Sequence, residues 1–469
     1  MGKLLKTFGI YFMGNIVNRL MGFVVMSIAT FQIAPDDYGY FTVSNSLMNI
    51  IMTLLSVQAW MAIIRFVFDY EDKRRKRQVV ATGYFIEIIS FIIYTIGFII
   101  VALVFDIKFP LSLYFLGASY MLVQNMTFTC RGLGYNRLFV ISGIVGSAAQ
   151  LITSLLFIFG FHWGASALLC ATAFSYFSQG IFIEICMGSF RKFRLKDVNI
   201  PLMKKMLRYC IPTSLNQGTW WINTQACTLI ITAFLGEAAV GIYSAPSKLT
   251  SLITMIVMVF NLAWQEFTFS ICKSKQRDYQ YNYVLNSFIR FIGCGMLFLI
   301  PVTSVLFTLI IGPEYAEGKN LVPLLYLGTV LDALASFIGS IMQAEKRVKS
   351  MFLSQTVGAV ITIVSMLVSI RWIGLQSAAV AMILCFMAVT VIRTLSLRSA
   401  VKLHYDWLFV IHYTLIFVIT SFVYLYCSQL VNLLFAIPLA AYCIFCLRDI
   451  IKGFIKMGIR QIEHARHHE

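Results

Sequence analysis

Long apolar stretches separated by short polar loops recur along the whole chain. Fourteen of them reach membrane-spanning length, at about 8–31, 40–68, 80–105, 111–130, 138–160, 165–187, 209–235, 246–270, 284–311, 320–344, 348–370, 373–395, 407–427 and 430–447. About 20 helical residues at 1.5 Å each cross the roughly 30 Å hydrocarbon layer. The runs are continuous rather than alternating over about ten residues, which predicts helices and excludes barrel strands. The expected fold class is therefore an all-α polytopic membrane protein of about fourteen transmembrane helices. In the first stretch Tyr11, Asn15, Asn18, Arg19 and Gly22 recur at helical spacing, so one side of an otherwise apolar helix carries a polar, cationic stripe.

Composition agrees with this pattern. Hydrophobic residues make up 59% of the 469 and charged residues 12%, with a mean hydropathy of +0.82, values outside the soluble globular range. The formal charge of +17 would point to nucleic acid in a soluble chain, but its distribution reads as topology. Assigning the amino terminus and every second loop to one side places thirty of the 37 Lys and Arg there, and the opposite loops hold only Lys108, Lys319 and Arg371. The positive-inside rule then predicts that both termini are cytoplasmic. Lys3 and Lys6 before an apolar run resemble a signal peptide, but the length of the stretch and Arg19 within it predict a retained span. The eleven cysteines form no CxxC pair and no metal-ligand spacing, so they read as reduced core residues.

The chain repeats itself. Gly39 and Gly241, Phe41 and Tyr243, and Leu47 and Leu249 are each 202 positions apart, and the basic loop from Lys73 meets the one from Lys273 at nearly the same shift. Six spans separate the copies, so both have the same orientation, and two parallel repeats should form N- and C-lobes around a central cavity. The predicted organisation is an N-lobe at 1–187, a cytoplasmic linker at 188–208, a C-lobe at 209–400, two extra spans within 401–447 and a cytoplasmic amphipathic tail at 448–469. In the linker, Asn199 and Pro201 have the chemistry of a cap and first-turn proline, and predict a short interfacial helix. The tail carries Ile451, Phe454, Ile455, Ile459 and Ile462 on one face, as expected of a helix lying on anionic lipid.

The candidate chemistry is sparse. A guanidinium near mid-span costs about 2.5–3.5 kcal/mol on insertion scales, so Arg19 faces protein or water: it is either a structural partner of a carboxylate or a binding group for an anion. Arg65, Lys248 and Arg290 are the other cations in or at the ends of spans. Gln217 and Trp221 in the seventh span, with Asn261 and Gln265 in the eighth, offer amides and an indole that suit a sugar-lined passage; interhelical hydrogen bonding is the alternative role. Asp332 and Glu266 are the candidate ion-coupling carboxylates, and pairing with an arginine is the alternative for either. No phosphate loop, HExxH, GxSxG or EF-hand pattern occurs, and no loop on the outer side is large enough for a polymerase or ligase site. No enzymatic role, cofactor or metal is expected.

The stretch Phe8 to Gly39 with Arg19, the paired loops Gly39 to Phe41 and Gly241 to Tyr243, and the run Lys204 to Pro212 resemble the bacterial polysaccharide transporter family. This is the O-antigen and lipid-linked oligosaccharide flippase branch of the multidrug/oligosaccharidyl-lipid/polysaccharide exporter superfamily, and the resemblance covers about residues 1–400. It implies a flippase that carries an undecaprenyl-diphosphate-linked oligosaccharide from the cytoplasmic to the outer leaflet by alternating access. Lipid II flippases of the superfamily share fourteen spans and a cationic first helix, which makes Arg19 the implied diphosphate ligand, helped by Asn15, Asn18, Arg290 and Lys248. The implied setting is the bacterial inner membrane, with the polyprenyl-diphosphate-linked glycan, membrane lipids, H+ or Na+ and other glycan-assembly proteins as partners. Two alternatives stand beside it: a multidrug or cation antiporter using Asp332 or Glu266, and a nontransporting scaffold of a glycan-assembly complex.

Overall fold

The computed structural model describes residues 2–188, 194–272 and 274–466; the side chains of 2–13, 15, 212, 215, 216, 218–220, 222–224, 252, 259, 262, 263, 266, 270, 348 and 449–466 lie outside the description. The described chain is helical, and every predicted span coincides with helix. In order these are α1 (Gly2–Gln32), α2 (Pro35–Leu55), α3 (Ala59–Val67), α4 (Lys73–Val104), α5 (Pro110–Gly132), α6 (Asn136–Leu155), α7 (Ala165–Met187), α8 (Ile200–Leu249), α9 (Ser251–Ile271), α10 (Arg277–Ile310), α11 (Val322–Ala344), α12 (Val348–Ile373), α13 (Gln376–Leu397), α14 (Trp407–Tyr426) and α15 (Gln429–Arg466). Among the described residues, ten helices are long and apolar enough to cross a membrane alone, and α2 and α3 pass together as a broken span. Exposed apolar side chains such as Ile92, Ile96, Ile99 and Leu103 on α4 form surfaces that suit lipid rather than water.

Local chemistry sets several boundaries. Asp72 accepts from the Arg75 amide at 3.2 Å and starts α4, and Pro35 and Pro110 occupy the first turns of α2 and α5. Asn199 accepts from the Leu202 amide at 2.9 Å, so it caps α8 as its sequence predicts. The short interfacial helix expected there is not a separate element. It forms the first turns of α8, which runs on through the seventh span to a kink at Gly236 (φ 87°), a left-handed conformation that favours glycine. Span two differs as well. It is read as continuous over 40–68, yet it bends by 55° between α2 and α3, where Val57 (φ 49°) and Gln58 (φ 53°) both sit in the left-handed region.

The chain divides into two compact units, Met1–Ser244 and Ala245–Glu469. In the first, Ala59, Ile63 and Val67 of α3 pack with Val79 and Tyr84 of α4, and with Leu202, Met206 and Cys210 of the early α8. These last three positions recur every fourth residue, so one stripe of α8 is core. The repeat is visible in space within this unit. A Cβ on Gly39 would collide with the carbonyl oxygen of Glu237, and a Cβ on Gly241 would collide with that of Pro35. Residues 35 and 237, like 39 and 241, are 202 apart, so the two contacts are one contact made twice about a local two-fold axis. Bulkier residues could not let these backbones touch.

The second unit is built around α11, most of whose apolar window is buried. Trp264 stacks on Phe337 with ring centroids 4.2 Å apart, Phe260 stacks on Phe288 at 4.5 Å, and the Trp264 indole donates to the Phe337 carbonyl at 3.1 Å. Arg277 ties the helix ends together: it donates to both carboxylate oxygens of Glu345 at 3.1 Å and to the Ala400 carbonyl at 2.7 Å.

Candidate functional site

The cationic stripe on α1 is shaped by α6. Gly14 lies against Val140, Gly143 lies against the Asn18 amide, and the Asn18 Oδ1 accepts from Ser147 Oγ at 3.0 Å. Asn18 is thus committed to holding two helices together. Arg19 is half-buried. One turn further along, a Cβ at Gly22 would meet nothing within 4 Å, so this side of α1 borders open space. The Asn15 side chain lies outside the described residues, as do those of Asn216, Trp220, Asn223, Thr224 and Glu266.

The repeat partner of Arg19 is engaged in the same unit. The Trp221 indole donates to the Ser46 carbonyl of α2 at 3.1 Å, which makes it a tie between α8 and α2. Gln217 is half-buried and Lys248 is exposed in the last turn of α8. On α2 the Asn49 amide donates to the Asn45 carbonyl one turn back at 2.8 Å. Several of the amides expected to line a passage therefore make interhelical or local hydrogen bonds.

In the second unit Gln265 donates to the Gln343 Oε1 of α11 at 2.6 Å, whereas the Asn261 Oδ1 is buried with no hydrogen-bond partner. Arg290 pairs with Asp406 at 2.5 Å and lies over the Phe409 ring at 5.7 Å. Asp406 also caps α14 by accepting from the Phe409 amide at 3.2 Å. The hydrogen bond from Arg290 holds the Asp406 carboxyl below the usual carboxylate range. Asp332 faces a cation, Arg393, near the end of the twelfth span. Arg393 is buried inside α13 and donates to Ser354 Oγ at 3.1 Å, the Ala335 carbonyl at 2.6 Å and Gln355 Oε1 at 3.1 Å, within electrostatic reach of Asp332. Its spacing from Val389 and Cys385, four and eight residues back and both buried, is the signal that places it on the core face.

A second group escaped the sequence reading. Glu87 of α4 is buried, accepts from Ser56 Oγ at 3.0 Å and keeps its other carboxyl oxygen without a partner. It borders a cavity of about 1060 Å³ lined mostly by aromatic and aliphatic side chains of α4, α5 and α7, with Asn125 on its wall. Nothing local marks Glu87 apart from other acids near span ends; the burial comes from α3 and α5 closing around it.

This architecture is shared with known transporters. The structure is similar to that of a lipid II flippase, MurJ, in an inward closed conformation, with a TM-score of 0.69 at 15% identity over 95% of this chain and 100% of that one. It is also similar to an inward-facing multidrug resistance transporter of the MATE family and MOP superfamily, with a TM-score of 0.59 at 18% identity over 81% of this chain and 94% of that one. In sequence, 336 residues are 20% identical to protein 1 of the Lsg locus of Haemophilus influenzae, covering 70% of this chain and 82% of the relative. Residues 4–264, from α1 through most of α9, match the family described as polysaccharide biosynthesis protein. Membership is carried by more than half of the chain, and this membrane protein therefore belongs to the polysaccharide biosynthesis protein family.

Proposed function

We propose that the chain is a flippase that moves an undecaprenyl-diphosphate-linked oligosaccharide from the cytoplasmic to the outer leaflet by alternating access. The observation that carries this reading is the half-buried Arg19 at membrane depth on α1, next to the open space at Gly22. A guanidinium in that setting binds a diphosphate by charge-assisted, bidentate hydrogen bonds. The family and the fold support transport of a polysaccharide precursor. Outward movement of about two negative charges releases roughly 2.3 kcal/mol per charge per 100 mV of inside-negative potential.

Deletion of the gene, followed by analysis of lipid-linked glycans, tests the reading. The deletion strain accumulates a lipid-linked oligosaccharide on the inner leaflet, and the wild-type gene clears it. Loss of hydrogen bonds to a charged group costs about 1.5–3 kcal/mol, so Arg19→Ala lowers clearance by about 10- to 100-fold at unchanged protein level, and Arg19→Lys retains part of it. Full clearance by the alanine variant removes Arg19 from the mechanism. Failure of the deletion strain to accumulate any such glycan overturns the whole reading.

A further inference from the structure

Span two breaks where a helix has no evident reason to break. Leu55 to Ala59 contains neither glycine nor proline, and β-branched Val57 occupies the left-handed region at φ 49° beside Gln58 at φ 53°. Such a conformation costs about 1–3 kcal/mol and persists only where the surroundings impose it. Two ties do so here. The Ser56 hydroxyl, at the C-cap of α2, donates to Glu87 Oε1 at 3.0 Å, and the Cys210 thiol of α8 donates to the Gln58 carbonyl at 3.5 Å.

The carboxyl at the centre of this arrangement is poorly served as an anion. Among the described residues no basic side chain pairs with Glu87. The basic cluster on its own helix ends at Arg77, about 15 Å away along the axis. Arg65 on α3 is engaged with Asp69, and Asp197 is engaged with Arg77. Two phenols lie near the carboxyl: Tyr84 one turn earlier on the same helix and Tyr120 of α5, while the Cys210 thiol is engaged with the Gln58 carbonyl. Glu87 Oε2, Gln58 Oε1 and both polar atoms of Asn125 are buried without a hydrogen-bond partner, and Asn125 lies beside the carboxyl. An ionised carboxylate in such a place is costly, and neutralisation is the usual remedy.

We propose that Glu87 is a proton-binding site whose occupancy is linked to the bend between α2 and α3. A proton taken from water onto Oε2 turns that oxygen into a donor, which the Asn125 Oδ1 accepts, so two orphaned atoms satisfy each other. On release, the Asn125 amide turns over and donates from Nδ2 to the carboxylate; an amide serves both states by a half-turn. The Ser56 bond changes strength in step, because a hydrogen bond to a charged acceptor is roughly twice as strong as one to a neutral acceptor. Deprotonation therefore tightens the fastening of the bend, and protonation loosens it. Coupling the charge on one side chain to the angle of a broken span is what a proton-driven conformational cycle requires.

The test uses the full-length protein in liposomes and needs no cargo, so its failure and that of the flippase reading are separate events. Infrared difference spectra across a pH step from about 9 to about 5 show the carbonyl stretch of a protonated carboxylic acid appearing reversibly in the wild type. Glu87→Gln keeps the component of the band that the other carboxyls supply and loses the component that Glu87 supplies. Glu87→Asp keeps it with a displaced midpoint, which guards against a Gln variant that misfolds. Ser56→Ala, which removes a donor to the charged form, moves the midpoint up by about one pH unit. Hydrogen exchange at the amides of residues 55–60 is faster in Glu87→Gln than in the wild type at high pH. A band unchanged in Glu87→Gln, a carboxyl that stays in one protonation state throughout, or a band that follows Na+ concentration at fixed pH overturns the proposal. Equal exchange at the bend in both proteins overturns its linkage to the break.

Discussion

Replacing Gly39 by alanine offers a sharp test, because two effects of opposite sign compete. Gly39 lies inside α2 and Gly241 inside α8, and in an open helix Gly→Ala stabilises by about 1 kcal/mol through backbone entropy. At Gly39 the added methyl meets the Glu237 carbonyl and the Gly241 backbone nitrogen, and at Gly241 it meets Pro35 backbone atoms. Main chain cannot rotate away as a side chain can, so the clash takes the upper part of the 1–3 kcal/mol cost of overpacking. The net expectation is destabilisation by about 1–2 kcal/mol. For the 244-residue first unit this is a loss of roughly 2–8 °C in apparent melting temperature.

Two controls sharpen the inference. Gly22 and Gly97 have open space where a Cβ would stand, so alanine there leaves the midpoint unchanged or raises it by a few degrees. The Gly39→Ala, Gly241→Ala double variant loses less than the sum of the single variants. Both methyls push apart the same pair of chain segments, and the first has already separated them when the second is added. Thermal melting of detergent-solubilised protein reads all five variants. Single variants as stable as the controls, or strictly additive losses, would refute the reciprocal contact.

Further predictions concern two cations of the second unit, Arg290 and Arg393. The Asp406 carboxyl is held below its ordinary range by Arg290, so its contribution is present above the unfolded carboxylate value of about 3.9 and lost as pH falls through the lower folded value. Asp406→Asn keeps an α14 cap and loses this term, so its melting temperature falls less steeply than that of the wild type below about pH 4; parallel curves would disprove the linkage. Arg393→Lys cannot reach Ser354, Ala335 and Gln355 at once and loses about 1–3 kcal/mol, whereas Arg393→Met, which strands Asp332 and the three acceptors, loses about 3–5 kcal/mol. Melting curves that do not separate the two variants would contradict the fork geometry.

Hydropathy made the spans legible because each needs only local information: about 20 apolar residues and a polar loop. Asn199 capping α8 was legible for the same reason, whereas α2 begins at Pro35, five residues before the expected start of span two. The partners of polar residues were not. Periodicity placed Asn18 and Gln265 on faces of their helices, but Ser147 and Gln343 lie 129 and 78 residues away, and no spacing rule connects them. Arg393 stands near the end of its span and reads as part of a basic loop. Its spacing from Val389 and Cys385 puts it on the core face, but only its acceptors on α11 and α12 show what it binds there.

The duplication separates these two kinds of information. Features shared by both copies are properties of the backbone. The turn before Pro35 has its counterpart at Gly236, and Gly39 has its counterpart in Gly241, with each glycine pressed on the other copy's main chain. The basic loops from Lys73 and Lys273 recur, but the charges at positions 19 and 87 within the spans occur once. Arg19 stands where the other copy has Trp221, and at the same shift of 202 Glu87 stands where the other copy has Ile289. A scaffold stated twice can be read from self-similarity, whereas a site stated once has no second copy to confirm it. The asymmetry also has a physical use. Two like-oriented repeats with identical chemistry would present one kind of group to both ends of a cargo, whereas the roles proposed above for Arg19 and Glu87, binding an anion and binding a proton, are different tasks. Divergence at residues 19 and 87, against retention at 39 and 241, is what those two proposed roles require of a duplicated fold.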